Sequence, residues 1–182
     1  MKFVCTVLVV CFSMYVFAQG KNDLIRQHIK GNIRTVTELE YDAKKDGLIS
    51  RSISKYDAKG NQLDLYTYDA AGTLLAKSIF NYNDSGKLVD VKRYKGDGTF
   101  IVKTVYKYDA QGNQAEEENY DISNILFMKA KGSFNGNGTR RVYDRFNEFG
   151  ILFLKSNFKF DKEGNEIEEK QYDSHHGLKF KT

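Results

Sequence analysis

The chain of 182 residues contains no proline and no tryptophan, and only two cysteines. Without proline it cannot hold collagen-like or polyproline segments, which depend on that residue. Its formal charge of +4 is too small for the strongly basic surface typical of a nucleic-acid-binding protein, so we expect no nucleic-acid partner. Apolar residues make up 41% and charged residues 29%, a balance that predicts a folded domain.

The first residues of the chain have the pattern of a secretory signal peptide. Lys2 precedes an apolar run from Phe3 to Phe17, and Val16-Phe17-Ala18 forms a small-x-small cleavage site. The run is shorter than the ~20 residues that span a bilayer, and no later stretch reaches that length. We therefore expect residues 1–18 to be removed, no transmembrane insertion after that cleavage, and export to the periplasm, the cell surface or the medium.

Both cysteines, Cys5 and Cys11, lie inside this predicted signal peptide. The exported chain would then have no disulfide and no cysteine to act as a metal ligand or nucleophile. An exported domain of this kind must be held together by its apolar core and its backbone hydrogen bonds.

An internal repeat dominates the rest of the sequence. An aromatic residue, usually followed by Asp or Asn, comes four residues before a glycine, and the spacing between aromatics alternates between 12 and 14 residues. The true period is thus 26 residues, which is typical of stacked supersecondary units. The aromatic anchors are Tyr56, Tyr68, Tyr82, Tyr94, Tyr108, Phe134, Phe146 and Phe160, with weaker copies at Tyr120 and Tyr172 and a stretched copy at Tyr41.

Each half of the repeat reads as one strand and one turn. The segments between turns are eight to ten residues long and rich in β-branched and aromatic residues. The short Asp/Asn and Gly loops suit hairpins, so successive strands must be antiparallel neighbours. We predict an all-β fold over residues 33–182, an antiparallel meander of about eleven strands in a twisted or curled sheet. Whether this sheet closes is left open.

Residues 19–32 differ from the repeats and predict a short helical cap. The apolar residues Leu24, Ile25, His28 and Ile29 fall at helical spacing. Asn22 or Asp23 would begin the helix and Gly31 would end it.

The loop length also predicts a strand register. A loop of four residues pairs Tyr68 with Thr73 and gives three cross-strand ion pairs: Asp64 with Lys77, Asp90 with Lys103, and Glu116 with Lys129. The same count places one apolar face on the sheet, which includes Leu65, Phe80, Val91 and Tyr106. The opposite face is charged but also carries Leu75, Ile79, Ile101, Val105, Phe127 and Phe153.

Residues able to support catalysis or metal binding are sparse. His175 and His176 are adjacent, and neighbouring strand residues point to opposite faces, so together with His28 they do not suggest a zinc site. The acidic runs 116–118 and 166–169 lie beside lysines and favour a solvated face over a glycosidase pair. We expect no enzyme activity, no cofactor and no metal site, although the Asp- and Asn-rich turns leave calcium binding open.

The turn motif resembles a known repeat family. Y-D-A-K-G from Tyr56 and Y-D-A-Q-G from Tyr108 are similar to the YD repeats of bacterial Rhs-type proteins, and the hairpins also resemble MORN-type repeats. The resemblance implies a repeat sheet and does not specify an activity. Together with the Ala18-Gln19 junction it suggests a small exported protein of Bacteroidetes type.

These observations favour a non-catalytic protein that binds or scaffolds at the cell envelope, with a glycan or protein ligand. The alternative is an accessory or immunity-like partner of another envelope or secreted protein, one that caps the edge strands of that partner. Aromatic and cationic side chains on the strands define the candidate binding face, which consists of Tyr66, Tyr68, Lys77, Tyr94, Lys103, Tyr120 and Lys129.

The signal peptide can be tested by expressing the whole chain in a bacterial host that exports it. We expect the intact mass of the purified protein to lack residues 1–18, with Gln19 as the new N-terminus. Replacing Ala18 by a bulky residue should block this processing, because the cleavage site needs a small side chain. A secreted protein that still carries Met1 would contradict the prediction.

Overall fold

The computed structural model describes residues 23, 27, 31, 33–42, 47–134 and 140–181. The signal segment and the helical positions Leu24, Ile25, His28 and Ile29 lie outside these residues. Twelve strands are present: β1 (Thr35–Asp42), β2 (Gly47–Tyr56), β3 (Gln62–Asp69), β4 (Leu74–Tyr82), β5 (Leu88–Lys95), β6 (Phe100–Tyr108), β7 (Gln114–Tyr120), β8 (Leu126–Phe134), β9 (Arg140–Asn147), β10 (Leu152–Phe160), β11 (Glu166–Asp173) and β12 (Leu178–Lys181).

The strands form one antiparallel sheet in chain order, which confirms the predicted all-β meander. The sheet has twelve strands where the sequence predicted about eleven, and it is open, with β1 and β12 at its edges. The chain also divides into two compact units within β6: unit 1 ends at Ile101, and unit 2 begins at Val102. Each unit is described separately below.

One turn geometry recurs in all nine hairpins whose turns are described, as the turn between β2 and β3 illustrates. The Asp57 N–H donates to the Asn61 carbonyl at 2.9 Å, and the Gly60 N–H donates to the Asp57 carbonyl at 3.1 Å. Gly60 takes the left-handed conformation with φ of 82°. The loop has three residues and is followed by a one-residue bulge, as is typical of a type I turn closed by a left-handed residue. The predicted role of Asp and Gly in these turns is confirmed.

The bulges change the register that the loop length predicted. Tyr68 lies opposite Leu74, and Tyr66 lies opposite Lys77. The predicted pairing of Tyr68 with Thr73 is therefore wrong, and so is the pairing of Asp64 with Lys77. The loop has three residues where four were predicted, which moves the pairing by one residue, and the bulge at Leu75 moves it by another. The two steps together keep the alternation of side chains between the bulges, so Phe80 and Val91 stay on their predicted face.

The acidic run of β7 shifts by the same amount. Glu116 lies opposite Lys131, and Glu118 lies opposite Lys129. Direct opposition of Glu116 and Lys129 is therefore also wrong. The two residues still meet along the diagonal, where Lys129 Nζ lies 2.7 Å from Glu116 Oε2.

The core of unit 1 lies on the predicted apolar face. Phe80 and Val91 are opposite each other on β4 and β5, and both are buried. Tyr56 and Leu88 are also buried. Leu75, predicted for the other face, is half exposed, so the alternation expected from the repeat is present.

The core of unit 2 is built largely from small residues. Thr104, Ala130 and Ser156 recur every 26 residues and are almost completely buried. Longer side chains on the neighbouring strands cover them: the Tyr143 hydroxyl on β9 donates to Glu117 Oε2 on β7, two strands away, at 3.1 Å. Because β8, between these strands, carries only a methyl group at Ala130, this contact can form above it.

The described residues of the segment before β1 bind to the sheet of unit 1. The Gln27 N–H donates to the Asp23 carbonyl at 3.1 Å, as in one helical turn. The Asp23 carboxylate accepts hydrogen bonds from the Gln62 backbone N–H at 2.8 Å and from the Tyr82 hydroxyl at 2.7 Å. The Tyr56 hydroxyl donates to Gln27 Oε1 at 3.1 Å. These contacts attach the segment to β2, β3 and β4.

The left-handed turn position makes opposite predictions for two substitutions. Gly72 has φ of 86° and open space around it, so Gly72→Ala adds backbone strain alone. It should lower the free energy of unfolding by about 1–2 kcal/mol. His176 occupies the same turn position with φ of 63°. His176→Gly should therefore raise the free energy of unfolding by up to ~1 kcal/mol. Chemical denaturation measures both, and changes of the same sign would contradict the turn geometry.

Candidate binding surfaces

The first candidate surface lies on β2 to β5 of unit 1, on the side opposite the core. We call it the Tyr66 cluster, and it comprises Arg51, Lys55, Tyr66, Tyr68, Lys77 and Tyr94. Antiparallel pairing places Ile53 and Lys77 on either side of Tyr66, and Lys77 between Tyr66 and Tyr94. Four of the seven residues predicted from the sequence are thus brought together here.

Cation–π contacts organise this cluster. The ammonium groups of Lys55 and Lys77 lie 5.2 and 5.4 Å from the ring centroid of Tyr66. The Arg51 guanidinium carbon lies 4.6 Å from the ring centroid of Tyr68. A cation within about 6 Å of an aromatic ring is attracted by its negative face, by ~0.5–1 kcal/mol at exposed sites. The tyrosine rings therefore hold three cations in defined positions on a partly exposed surface.

The cluster has an excess of positive charge. Lys92, opposite Ile79, adds a fourth cation to this face. The facing acidic groups are Asp64, which lies opposite Lys55, and Asp90, which accepts a hydrogen bond from the Asn81 amide at 2.8 Å. Four cations against two carboxylates leave a net positive surface that attracts anions.

The second candidate surface is a network of ion pairs in unit 2. We call it the Glu118 cluster, and it comprises Lys107, Glu116, Glu118, Tyr120 and Lys129. Glu118 is buried and lies 2.8 Å from Lys107 Nζ and 3.0 Å from Lys129 Nζ. The Tyr120 hydroxyl donates to its other oxygen at 2.8 Å.

These contacts shift the titration of the cluster. Burial by itself would raise the pKa of Glu118, but hydrogen bonds from Lys107, Lys129 and Tyr120 outweigh it and lower the pKa to about 2. The hydrogen bond with Glu118 raises the pKa of Lys107, and that with Glu116 raises the pKa of Lys129. The cluster therefore stays fully charged at neutral pH.

The remaining three predicted residues, Lys103, Tyr120 and Lys129, lie in unit 2. The ammonium of Lys103 is 5.8 Å from the ring centroid of Tyr120, whereas Lys129 is bound by two carboxylates. The sequence reasoning missed Arg51 and Lys55. Arg51 could have been found, because it precedes Lys77 by one period of 26 residues.

The acidic turn residues bond mainly to their own backbone. Asp109 Oδ1 accepts the Asn113 N–H at 2.7 Å, and its Oδ2 accepts the Asn113 amide at 2.9 Å. The Asn113 side-chain hydrogen bond is the main cause that lowers the pKa of Asp109. The turn over 135–138, one of the oxygen-rich turns considered for calcium, lies outside the described residues. Among the residues the structure describes, no group of three acidic, His or Cys side chains is placed to hold a metal ion.

The histidine pair lies in a turn and not in a strand, which corrects the prediction that the two side chains alternate across a sheet. The His175 N–H donates to Asp173 Oδ1 at 2.9 Å, and His176 takes the left-handed position that glycine fills elsewhere. The turn between β11 and β12 thus has the same length as the others, with His176 at the glycine position and Gly177 at the position after it.

No protein-family model matches the chain, and no curated protein matches it. Among solved structures it is similar to the crystal structure of TcdB2-TccC3-TEV, with 14% identity and a TM-score of 0.42 over 91% of this chain and 10% of that one. It is also similar to a porin-like protein from Bacteroides uniformis, with 10% identity and a TM-score of 0.48 over 79% of this chain and 57% of that one. The chain thus spans about a tenth of the first protein and somewhat over half of the second.

Within the described part of the chain, no helix has the length and apolar character needed to cross a membrane.

The Glu118 cluster predicts a specific loss of stability in acid. Because the pKa of Glu118 is about 2 in the folded protein against an ordinary 4.5, its contribution is complete above pH 4.5 and lost as the pH falls toward 2. Glu118→Gln should lower the free energy of unfolding at pH 7 by about 2 kcal/mol and flatten its dependence on pH between 5 and 2. Urea unfolding across this range measures both effects.

The matched control is Glu163→Gln, a substitution at an exposed turn residue of the same unit. It should leave the pH dependence as in the unmodified protein. An acid profile that Glu118→Gln does not alter would show that the cluster contributes nothing to stability.

Proposed function

We propose that the protein is an exported, non-catalytic β-repeat protein that binds acidic glycans at the cell envelope through the Tyr66 cluster. The observation that carries this proposal is the position of Tyr66 between two ammonium groups, at 5.2 and 5.4 Å from its ring. Export rests on the signal-peptide pattern of residues 1–18, and membership of the YD-repeat family rests on the turn motif alone.

The chemistry of the cluster fits a sugar that bears carboxylate or sulfate groups. A tyrosine ring offers a flat apolar surface for the C–H face of a pyranose, together with a hydroxyl for hydrogen bonding. Lys77 lies between Tyr66 and Tyr94 in the sheet, and its ammonium is 5.4 Å from the ring centroid of Tyr66. Ammonium and guanidinium groups form charge-assisted hydrogen bonds with carboxylates. Stacking and charge pairing can therefore act on a single sugar unit.

The pairing of the acidic residues of β7 argues against a glycosidase pair in the run 116–118. A glycosidase needs one carboxyl group whose pKa is raised so that it can act as an acid. In the Glu118 cluster the lysines instead hold the carboxylates in their charged form and lower the pKa of both Glu116 and Glu118. These residues stabilise strand pairing, which explains their position opposite lysines.

The alternative, an accessory or immunity-like partner protein, is favoured by one feature of unit 2. β12 pairs with only three residues of β11, Lys170 to Tyr172, and all four of its residues are exposed. A strand of another protein could extend the sheet from this edge by backbone hydrogen bonds. Lys179 and Lys181 on the same strand work against non-specific pairing of such edges.

Binding to polygalacturonate tests the proposal, with the neutral methyl-esterified polymer as the control ligand. We expect the acidic polymer alone to bind, and Tyr66→Ala and Lys77→Ala each to weaken binding about tenfold, since each removes a contact worth ~1–2 kcal/mol. Tyr41→Ala is the matched control, because Tyr41 is an exposed tyrosine of unit 1 outside the cluster. Isothermal titration calorimetry and an array of acidic glycans provide the measurements.

A protein that binds no acidic glycan, and whose pull-downs from envelope extract do not change with Tyr66→Ala, would exclude the Tyr66 cluster as a binding surface. A co-purifying protein that is lost when Phe180 is replaced by Lys would instead support the alternative.

A further inference from the structure

Two neighbouring turns of unit 2 expose a concentration of large apolar side chains. The turn Asp121–Ile125 joins β7 to β8, and the turn Asn147–Ile151 joins β9 to β10. Since β8 pairs with β9, the turns are neighbours, about 10 Å apart at the usual strand spacing. The exposed apolar residues of the two hairpin ends are Ile122, Ile125, Phe127, Phe149, Ile151 and Phe153.

The exposed area of this group, which we call the apolar tip, is large. Ile122 and Phe149 are each 77% exposed. With ~200 Å² for a large apolar residue, the exposed parts of the six residues amount to on the order of 700 Å², which is comparable with the roughly 300–600 Å² of the largest apolar patch on a typical monomer. A patch of this size marks a surface that contacts an apolar medium or a partner.

The hairpin geometry does not require these residues. The equivalent turn between β3 and β4 in unit 1 has the same backbone hydrogen bonds but carries Ala70, Ala71 and Thr73. The turn between β5 and β6 also closes in this way, with Asp97 and Thr99. Turn stereochemistry therefore accepts small and polar residues, and the apolar tip needs another explanation.

A belt of cation–aromatic pairs lies immediately behind the tip. In unit 2, cross-strand partners are Lys103 and Tyr120, Lys129 and Phe146, and Lys155 and Tyr172. Lys129 and Lys155 follow Phe127 and Phe153 by two residues, a distance of about 7 Å along a strand. The apolar side chains therefore lie at the turn end of the sheet, and the lysines and their aromatic partners lie about two residues farther from the turns.

We propose that the apolar tip docks on the surface of a lipid bilayer. Peripheral membrane proteins place apolar side chains ~5–10 Å into the boundary between head groups and acyl chains. Tyrosines favour the head-group level, and lysines there meet the lipid phosphates. The separation of about 7 Å between Phe153 and Lys155 along β10 matches this depth. The tip would enter the apolar boundary while the belt stays among the head groups.

The distribution of charge indicates that apolar insertion dominates. Acidic groups are also present at this end of unit 2, namely Asp121, Glu148 and Asp173. Asp121 Oδ1 already accepts the N–H groups of Ser123 and Ile125. Two lysines of the belt are paired with carboxylates, Lys129 with Glu116 and Glu118 and Lys155 with Asp144 at 3.7 Å. We therefore expect binding to neutral phosphatidylcholine, with only a modest gain from anionic lipid.

A bilayer fits this surface better than a second copy of the chain. The apolar groups project from the ends of two hairpins, where a deformable medium can receive them without a complementary surface. The belt of three cation–aromatic pairs behind them has no purpose in an apolar dimer interface, whose buried centre is depleted of charge.

The absence of tryptophan from the chain allows a direct test. Phe149→Trp places the single indole of the protein in the apolar tip. Ile167→Trp is the control: Ile167 is also exposed, at 61%, but it lies near the turn between β10 and β11, at the other end of the strands. With phosphatidylcholine vesicles, alone or mixed with phosphatidylglycerol, we expect the emission of Phe149→Trp to shift to the blue and to become protected from acrylamide. Ile167→Trp should change in neither respect.

Vesicle flotation of the exported protein gives the second readout. The double substitution Ile122→Ser with Phe149→Ser should reduce the bound fraction at least about tenfold, whereas Ile167→Ser should leave it unchanged. No binding to either vesicle composition would overturn the proposal. The proposal would also be overturned if the protein dimerised in analytical ultracentrifugation, the double substitution abolished the dimer, and the same substitution left vesicle flotation unchanged. The glycan-binding test uses different residues, so the two proposals fail independently.

Discussion

The structure depends on how each turn satisfies its own backbone. In eight of the nine described turns an Asp or Asn oxygen at the first position accepts the N–H four residues later, as Asp121 does with Ile125. The turn between β5 and β6 begins with Lys95, and there Asp97 accepts the Thr99 N–H. A left-handed residue at the fourth position then returns the chain. Because the turn is stabilised within five residues, every hairpin can form locally, and neighbouring hairpins need only pair edge to edge.

The bulge that follows each turn has consequences far from the turn itself. Together with the three-residue loop it moves the pairing by two residues, so Lys77 lies opposite Tyr66 and not Asp64, and Lys129 lies opposite Glu118 and not Glu116. It also leaves one residue per hairpin without a direct partner. At Leu75, Phe127 and Phe153 this residue is exposed and apolar. The bulges thus place Phe127 and Phe153, two residues of the apolar tip, at the surface.

The two units use the same backbone for different surface chemistry. In unit 1 the cations exceed the carboxylates and lie against tyrosine rings, which suits an anionic ligand. In unit 2 buried Glu118 binds two lysines, so the charges of that region neutralise one another and stabilise the strands. Two turns of unit 2, Asp121–Ile125 and Asn147–Ile151, expose large apolar side chains, whereas the described turns of unit 1 carry small or polar residues. The surface proposed for glycan binding lies in unit 1 and the surface proposed for membrane docking lies in unit 2.

The sequence by itself determined most of the strands and turns and the face of the strand residues between the bulges, because a 26-residue period and a two-residue alternation are local properties. Phe80 and Val91 in the core and Phe127 outside it follow from that alternation. Only the tertiary structure decided which side chains meet. The one-residue bulge is a backbone feature that the loop length does not reveal, and it places Lys77 opposite Tyr66 in place of Asp64. The contact of Asp23 with Tyr82, 59 residues apart, likewise follows from chain packing and from no local pattern.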